Sequence, residues 1–159
     1  MSIASIQSSD ELRDLYRELI LDHSRKPRHF GKLANATHTA EGINPLCGDK
    51  LQVYLQLDTA DVIESASFEG SGCAISVASA SLMTEIVIGR SRESALDYFA
   101  AITAHLTAVK PGKSASVDLE KIRALDGVRE FPARVKCATL AWHALHSAIK
   151  QQAGPVTTE

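Results

Sequence analysis

Residues 50–57 alternate polar and apolar side chains, and this pattern restricts the fold more than any other. Leu51, Val53, Leu55 and Leu57 take every second position. Because successive side chains of a strand point to opposite faces, the segment predicts a strand with one buried and one wet face. Residues 58–61 are typical of a turn, and residues 62–69 of the returning strand of a hairpin. A sheet with one apolar face requires helices to cover it.

Helical periodicity surrounds this hairpin, and one further short strand is predicted near residues 39–43. The predicted helices cover residues 8–23, a segment after the glycines at 70 and 72, a segment after Ser91, residues 118–125 up to Gly127, and residues 132–152. We therefore predict an α+β fold with a small antiparallel sheet of about three strands packed against helices. The 159 residues suit one domain, with a core from about 10 to 152 and a disordered tail over 153–159.

Composition excludes several classes of function. A net charge of -2 disfavours a nucleic-acid partner, although residues 23–31 form one short basic segment. No run of apolar residues is long enough to span a membrane, so we expect no membrane association. The first residues lack the basic and apolar regions of a secretory signal, and we expect a cytoplasmic protein.

The chain has three cysteines, an odd number that does not form a disulfide framework. Cys47 lies in a turn-forming stretch beside Gly48, where a thiol is accessible. In an extended segment the side chains of Cys47 and Asp49 point the same way, so they can converge on one ligand. The alternative is a turn with a stray thiol and a capping aspartate.

The other two cysteines lie near predicted helix starts. Cys73 follows a glycine-rich strand-to-helix junction, where the helix dipole favours a thiolate. Cys137 lies in the first turns of the last helix, with Arg134 three residues before it on the same face. A buried cysteine and a solvated basic helix face are the alternatives for these two positions.

Taken together, the three thiols and Asp49 supply four donors, the number that tetrahedral Zn²⁺ requires. The wide separation of the cysteines differs from the short C-x-x-C pairs of a zinc knuckle. A site of this kind is therefore predicted to be built by the tertiary fold.

Three ordered motifs carry a resemblance to a known family. They are Asn44-Pro45-x-Cys47-Gly48-Asp49, Gly70-x-Gly72-Cys73-x-Ile75-Ser76-x-Ala78-Ser79 and Phe131-Pro132-x-Arg134-x-Lys136-Cys137-x-Thr139-Leu140-x-Trp142. The chain resembles the U-type iron–sulfur cluster assembly proteins over about residues 12–150, which implies an IscU/NifU-N-like fold. Two features place the resemblance nearest the SufU-like branch. Lys136 stands where IscU-like members carry a histidine, and the segment 113–130 is long.

The resemblance implies a zinc site formed by Cys47, Asp49, Cys73 and Cys137. It also implies that Cys47 accepts persulfide sulfur from a SufS-like, PLP-dependent cysteine desulfurase, for downstream iron–sulfur assembly or acceptor proteins. Such a chain is a sulfurtransferase-like carrier rather than a stand-alone enzyme. We assign Arg134 a gating role beside Asp49 or a free thiolate. The alternative function is a scaffold that assembles a [2Fe–2S] cluster on the three cysteines and transfers it to apo-proteins.

Two histidines of the last helix could share a metal ion, because His143 and His146 are three residues apart. They lie off the predicted apolar stripe, so we interpret them as a solvated pair. The tryptophan at position 142 is interpreted as a packing or interface residue.

Overall fold

The computed structural model describes residues 9–107, 119 and 121–158, apart from the side chains at 9, 10 and 12. Within these residues, the elements in chain order are α1 (Ser9–Arg25), β1 (His38–Asn44), β2 (Asp49–Leu57), β3 (Ile63–Ser71), α2 (Ala74–Val87), α3 (Arg92–Thr107), a 3₁₀ helix (Lys121–Glu130), α4 (Pro132–Lys150) and β4 (Val156–Thr157). The predicted α+β class is confirmed, and so are the hairpin and the strand before it.

The sheet has the strand order β3-β2-β1-β4, and β2 lies between β3 and β1 and is antiparallel to both. The alternation in β2 has the predicted effect: Leu51, Val53 and Leu55 are fully buried, and the residues between them are half-buried. Helix α4 packs across β1 and β2 on this buried face, and α2 packs against α4 and β3. Gly42 of β1 allows the close approach, since a Cβ there would lie 3.0 Å from Leu140 Cδ1.

The C-terminal segment differs from the predicted disordered tail. Val156 and Thr157 pair in parallel with Gly42 and Ile43 of β1, so the sheet is mixed and has four strands rather than three antiparallel ones. The reversal starts at Gln151, whose left-handed conformation (φ 51°) ends α4 and turns the chain back toward the sheet. Val156 then packs against the core, and this apolar contact stabilises the segment on the sheet.

Helix α2 is buried on nearly all sides, whereas the sequence predicted one apolar side that included Ile75 and Ile86. Those two residues are only half-buried, and polar side chains take buried positions. Ser79 Oγ donates to the Ala138 carbonyl at 2.5 Å and accepts from Trp142 Nε1 at 3.2 Å. Such satisfied hydroxyls let a helix with polar residues lie inside the protein. No helix among the described residues is long and apolar enough to cross a membrane.

The basic segment 23–31 is held against α2. His23 is buried, and its Nδ1 hydrogen-bonds to Ser81 Oγ at 2.7 Å. Arg28 forms an ion pair with Asp22 at 2.6 Å, which neutralises one charge of the segment. These contacts give the segment a structural role.

The short helix predicted over 118–125 is wrong in its extent and type. Residue 118 lies outside the described residues, and the structure has a 3₁₀ helix over Lys121–Glu130. Gly127, the predicted stop, does not adopt the left-handed conformation that ends helices, so the turns continue through it. Asp126 of this helix accepts a hydrogen bond from His105 of α3 at 2.6 Å.

The two histidines of α4 form a cluster with Phe99 of α3, which corrects the prediction of a solvated pair. His146 stacks on the Phe99 ring at 4.6 Å between centroids, and His143 meets it edge-on at 5.2 Å. Both histidines are half-buried. Burial, and to a smaller extent the nearby His146, lowers the pKa of His143 below the usual 6.5.

This lowered pKa predicts how stability responds to acid. Below pH 6.5 the unfolded chain binds a proton at His143 more readily than the folded chain does. The free energy of unfolding therefore decreases as the pH is lowered. We predict that His143→Gln loses less stability than the unaltered protein between pH ~8 and pH ~5, as measured by thermal unfolding. Equal losses in the two proteins would contradict the assignment.

Candidate metal centre

The ends of three strands and the start of a helix meet at one edge of the sheet. Asn44, the last residue of β1, pairs with Asp49, the first residue of β2. Lys50 pairs with Ser71, the last residue of β3, which places Cys73 close by at the start of α2. The antiparallel register therefore brings the first two sequence motifs together.

The turn between β1 and β2 presents Cys47 to solvent. The backbone N–H of Cys47 donates to the Asn44 carbonyl at 3.3 Å, which closes the turn. Gly48 follows in the left-handed region (φ 72°), where a side chain is disfavoured. Cys47 is exposed, so the predicted accessible thiol is confirmed.

Asp49 places its carboxylate inside the protein, where it is 1% exposed. Its Oδ1 accepts a hydrogen bond from the backbone N–H of Cys73 at 2.9 Å. Gly72 leaves room for this contact, because a Cβ there would lie 2.8 Å from Asp49 Oδ1 and 2.2 Å from Ser76 Oγ. The glycine of the second motif is thus required by the aspartate of the first.

Cys73 is the N-cap residue of α2, as the sequence predicts. Its backbone is extended (φ -70°, ψ 168°), and no side-chain hydrogen bond caps the helix there. Cys73 is half-buried and lies at the positive end of the helix dipole.

Cys137 comes from α4, whose first turn contains Pro132. Cys137 is 1% exposed and lies on the buried face of the helix. Helix α4 is buried from Cys137 through Trp142, where it packs against β1 and β2. Burial raises the pKa of the Cys137 thiol, and hydrogen bonds with Asp49, Cys47 and Cys73 raise it further.

The ligand atoms of Cys47, Asp49 and Cys137 all lie within 4.8 Å of one another, so this group can hold a metal ion. Cys73 is not a member of this group, but its backbone N–H donates to the Asp49 carboxylate of the group at 2.9 Å. The structure thus brings three of the four sequence-predicted donors together, and Cys73 as the fourth donor stays a prediction. Thiolates with one carboxylate form a donor set that suits Zn²⁺.

Arg134 does not make the predicted contact with Asp49 or a thiol. Its side chain is exposed, and within residues 9–107, 119 and 121–158 it has no hydrogen bond or ion pair. Its backbone N–H donates to the Phe131 carbonyl at 2.8 Å, in the first turn of α4. A gating role for Arg134 stays a prediction.

Asn44 is a site residue that the sequence analysis missed. Its side chain is fully buried, and Nδ2 donates to Asp49 Oδ2 and to Cys137 Sγ, both at 3.4 Å. Asn44 Oδ1 is buried and has no hydrogen-bond partner among the described residues. The signal was its place in the first motif, which we had interpreted only as turn-forming chemistry.

The contact between Gly72 and Asp49 gives a test of the centre. We predict that Gly72→Ala weakens zinc binding about 10- to 100-fold, because the added methyl group displaces the Asp49 carboxylate. Gly127→Ala is the matched control, since a Cβ at Gly127 would meet nothing within 4 Å. Competition with a chromophoric chelator measures both affinities, and equal affinities for the two variants would contradict the geometry.

Comparisons with known proteins agree with this architecture. Residues 15–157 match the model of the family described as NifU-like N terminal domain. The zinc-dependent sulfurtransferase SufU of Bacillus subtilis is 43% identical over 145 residues, which cover 90% of this chain and 95% of the relative. The iron–sulfur cluster assembly scaffold protein IscU of Streptococcus pyogenes is 41% identical over 145 residues, covering 90% of this chain and 87% of the relative.

Solved structures agree in the same way. A protein described as a scaffold for the SUF system, FiSufU from Fervidobacterium islandicum, superposes with a TM-score of 0.75. It is 36% identical, and the match covers 83% of this chain and 94% of that one. The chain therefore belongs to the family of NifU-like N-terminal domains, the iron–sulfur cluster assembly proteins that include SufU and IscU.

Proposed function

We propose that the protein is a zinc-binding sulfur acceptor that takes persulfide sulfur from a PLP-dependent cysteine desulfurase through Cys47. The observation that carries the proposal is the unequal burial within one group of ligand atoms. Cys47 is exposed, whereas Asp49 and Cys137, whose ligand atoms lie within 4.8 Å, are buried. An acceptor needs one thiol within reach of a partner and a protected set of donors around it.

Cys47, Asp49, Cys73 and Cys137 would hold the zinc ion in this proposal. Zinc, when bound, keeps coordinated thiols in the thiolate form. The name of the Bacillus relative, a zinc-dependent sulfurtransferase, supports this choice of metal. The half-buried Cys73, whose backbone N–H donates to Asp49 Oδ1 at 2.9 Å, would complete the number of donors that a tetrahedral ion requires.

Sulfur transfer in this proposal is a thiol–disulfide type of exchange. The Cys47 thiolate attacks the outer sulfur of the desulfurase persulfide, and the sulfur–sulfur bond of that persulfide breaks. The desulfurase cysteine leaves as a thiolate, and Cys47 becomes the persulfide, with no net change in protons or electrons. The exposed turn gives Cys47 the access that such an attack requires.

A reducing compartment fits this chemistry, since all three cysteines are free. We therefore place the protein in the cytoplasm, where it would pass sulfur to downstream iron–sulfur assembly or acceptor proteins. Arg134, exposed in the first turn of α4, is available to a partner in the proposed gating role.

The second candidate function is a scaffold for a [2Fe–2S] cluster on Cys47, Cys73 and Cys137. The convergence of three thiols favours it, because clusters are held mainly by cysteine thiolates. The name of the Streptococcus relative, an assembly scaffold, points the same way. The exposure of Cys47 favours sulfur acceptance over the scaffold function, because a nucleophilic thiol must be accessible to its partner.

Sulfur acceptance is tested by locating the transferred atom. We predict that incubation with a desulfurase and cysteine leaves a persulfide on Cys47, detected by mass spectrometry after alkylation, and that Cys47→Ser accepts none. Gln56→Ala is the control, because Gln56 lies at the far end of β2 from Asp49. Equal sulfur loading of Cys47→Ser and the control would contradict the proposal.

Metal content separates the two candidate functions. For protein purified without oxygen, the acceptor predicts one colourless zinc ion per chain and no acid-labile sulfide. The scaffold predicts iron, sulfide and a brown chromophore instead.

A further inference from the structure

The amide of Asn44 lies between two of the ligand residues and takes no part in the sulfur chemistry. We propose that Asn44 is the positioning residue of the metal centre, which holds the Asp49 carboxylate and the Cys137 sulfur at a fixed separation. The inference rests on the proposed zinc site and adds to it a residue that tunes the strength and geometry of binding.

Hydrogen-bond chemistry fixes the orientation of this amide. A carboxylate only accepts hydrogen bonds, so the NH₂ group of Asn44, and not its carbonyl, must face Asp49. The NH₂ group has two hydrogens, and it has two acceptors at 3.4 Å, Asp49 Oδ2 and Cys137 Sγ. Its full donor capacity is therefore directed at the metal centre.

The unpartnered oxygen of the same amide supports this assignment. Asn44 is fully buried, and its Oδ1 has no hydrogen-bond partner within the described part of the chain. A buried polar atom without a partner is unfavourable, so the place of the amide is explained by its nitrogen rather than by its oxygen.

The backbone makes the position rigid. Asn44 ends β1 directly opposite Asp49 in the antiparallel register, which puts the two side chains on the same face. The carbonyl of Asn44 also accepts the N–H of Cys47 at 3.3 Å. One residue thus contacts three of the proposed ligand residues, from β2, the turn and α4.

An uncharged donor suits this place. The amide stabilises a carboxylate and a thiolate by hydrogen bonding, while it adds no charge that would compete with a cation for them. Hydrogen bonds that orient ligands in this way commonly change metal affinity about 10- to 100-fold.

Zinc affinity gives the first test. We expect Asn44→Leu, which has the same number of side-chain heavy atoms as asparagine but cannot donate, to bind zinc about 10- to 100-fold more weakly in chelator competition. Thr139→Val is the matched control: it also removes a buried polar group, in this case from α4, the hydroxyl that donates to the Val135 carbonyl at 3.0 Å. The control should bind zinc like the unaltered protein, and an equal affinity for Asn44→Leu would overturn the proposal.

Cobalt absorption gives the second test and covers the case in which Asn44→Leu does not fold. Asn44→Asp keeps the shape of the side chain but replaces the donor with an oxygen that repels Asp49. We expect an altered Co²⁺ spectrum, because the carboxylate ligand moves. If Asn44 only fills space, Asn44→Asp gives the same spectrum as the unaltered protein, and the proposal fails.

The two proposals fail in different ways. If the unaltered protein binds zinc but accepts no sulfur on Cys47, the proposed function is wrong. The role of Asn44 is then decided by the zinc affinities of Asn44→Leu and its control. If the unaltered protein binds no zinc, both fall.

Discussion

The buried carboxylate of Asp49 is the contact on which the arrangement of the site depends. A carboxylate that is 1% exposed is costly unless donors surround it. Here the donors come from two other segments, the backbone N–H of Cys73 at 2.9 Å and the amide of Asn44 at 3.4 Å. The Cys137 sulfur of α4 lies within 4.8 Å of the carboxylate. Satisfying this one group therefore fixes the end of β1, the start of α2 and the second turn of α4 around the same point, which is the arrangement that a metal site built from distant segments needs.

Packing elsewhere in the fold holds α4, and with it Cys137, in place beside Asp49. Helix α4 can lie close to β1 because Gly42 has no side chain, and Ser79 of α2 ties α2 to α4 through the Ala138 carbonyl and Trp142. The Ala138 carbonyl belongs to the residue after Cys137, so the tie acts next to a proposed ligand. Interiors are packed as densely as crystals, and a helix held at two such places has little freedom to move its thiol. The exposed turn that carries Cys47 stands apart from this rigid base, which fits a division between fixed donors and an accessible nucleophile.

Periodicity and motifs predicted the hairpin and the starts of the α-helices, because each of these depends on residues close in sequence. The features that were missed depend on tertiary contacts. The pairing of β4 with β1 requires a partner strand more than a hundred residues away, and two residues of strand carry too little pattern to detect. The burial of hydroxyl side chains on α2 was missed because their hydrogen-bond partners, such as Ala138 and Trp142 for Ser79, lie in another helix. Asn44 looked like a turn residue for the same reason: its amide acts on Asp49 across the strand pair and on Cys137, which lies far away in the sequence.

The central claim is that the fold builds one four-donor site of three sulfurs and one carboxylate oxygen from three segments that are far apart in the sequence. X-ray absorption at the zinc edge of the zinc-loaded protein tests this claim most directly. We expect three sulfur scatterers at about 2.3 Å and one oxygen scatterer at about 2.0–2.2 Å. The same measurement on Asp49→Ala should lose the carboxylate oxygen while it keeps the three sulfurs. A shell with fewer than three sulfurs in the unaltered protein, or a spectrum unchanged in Asp49→Ala, would contradict the account.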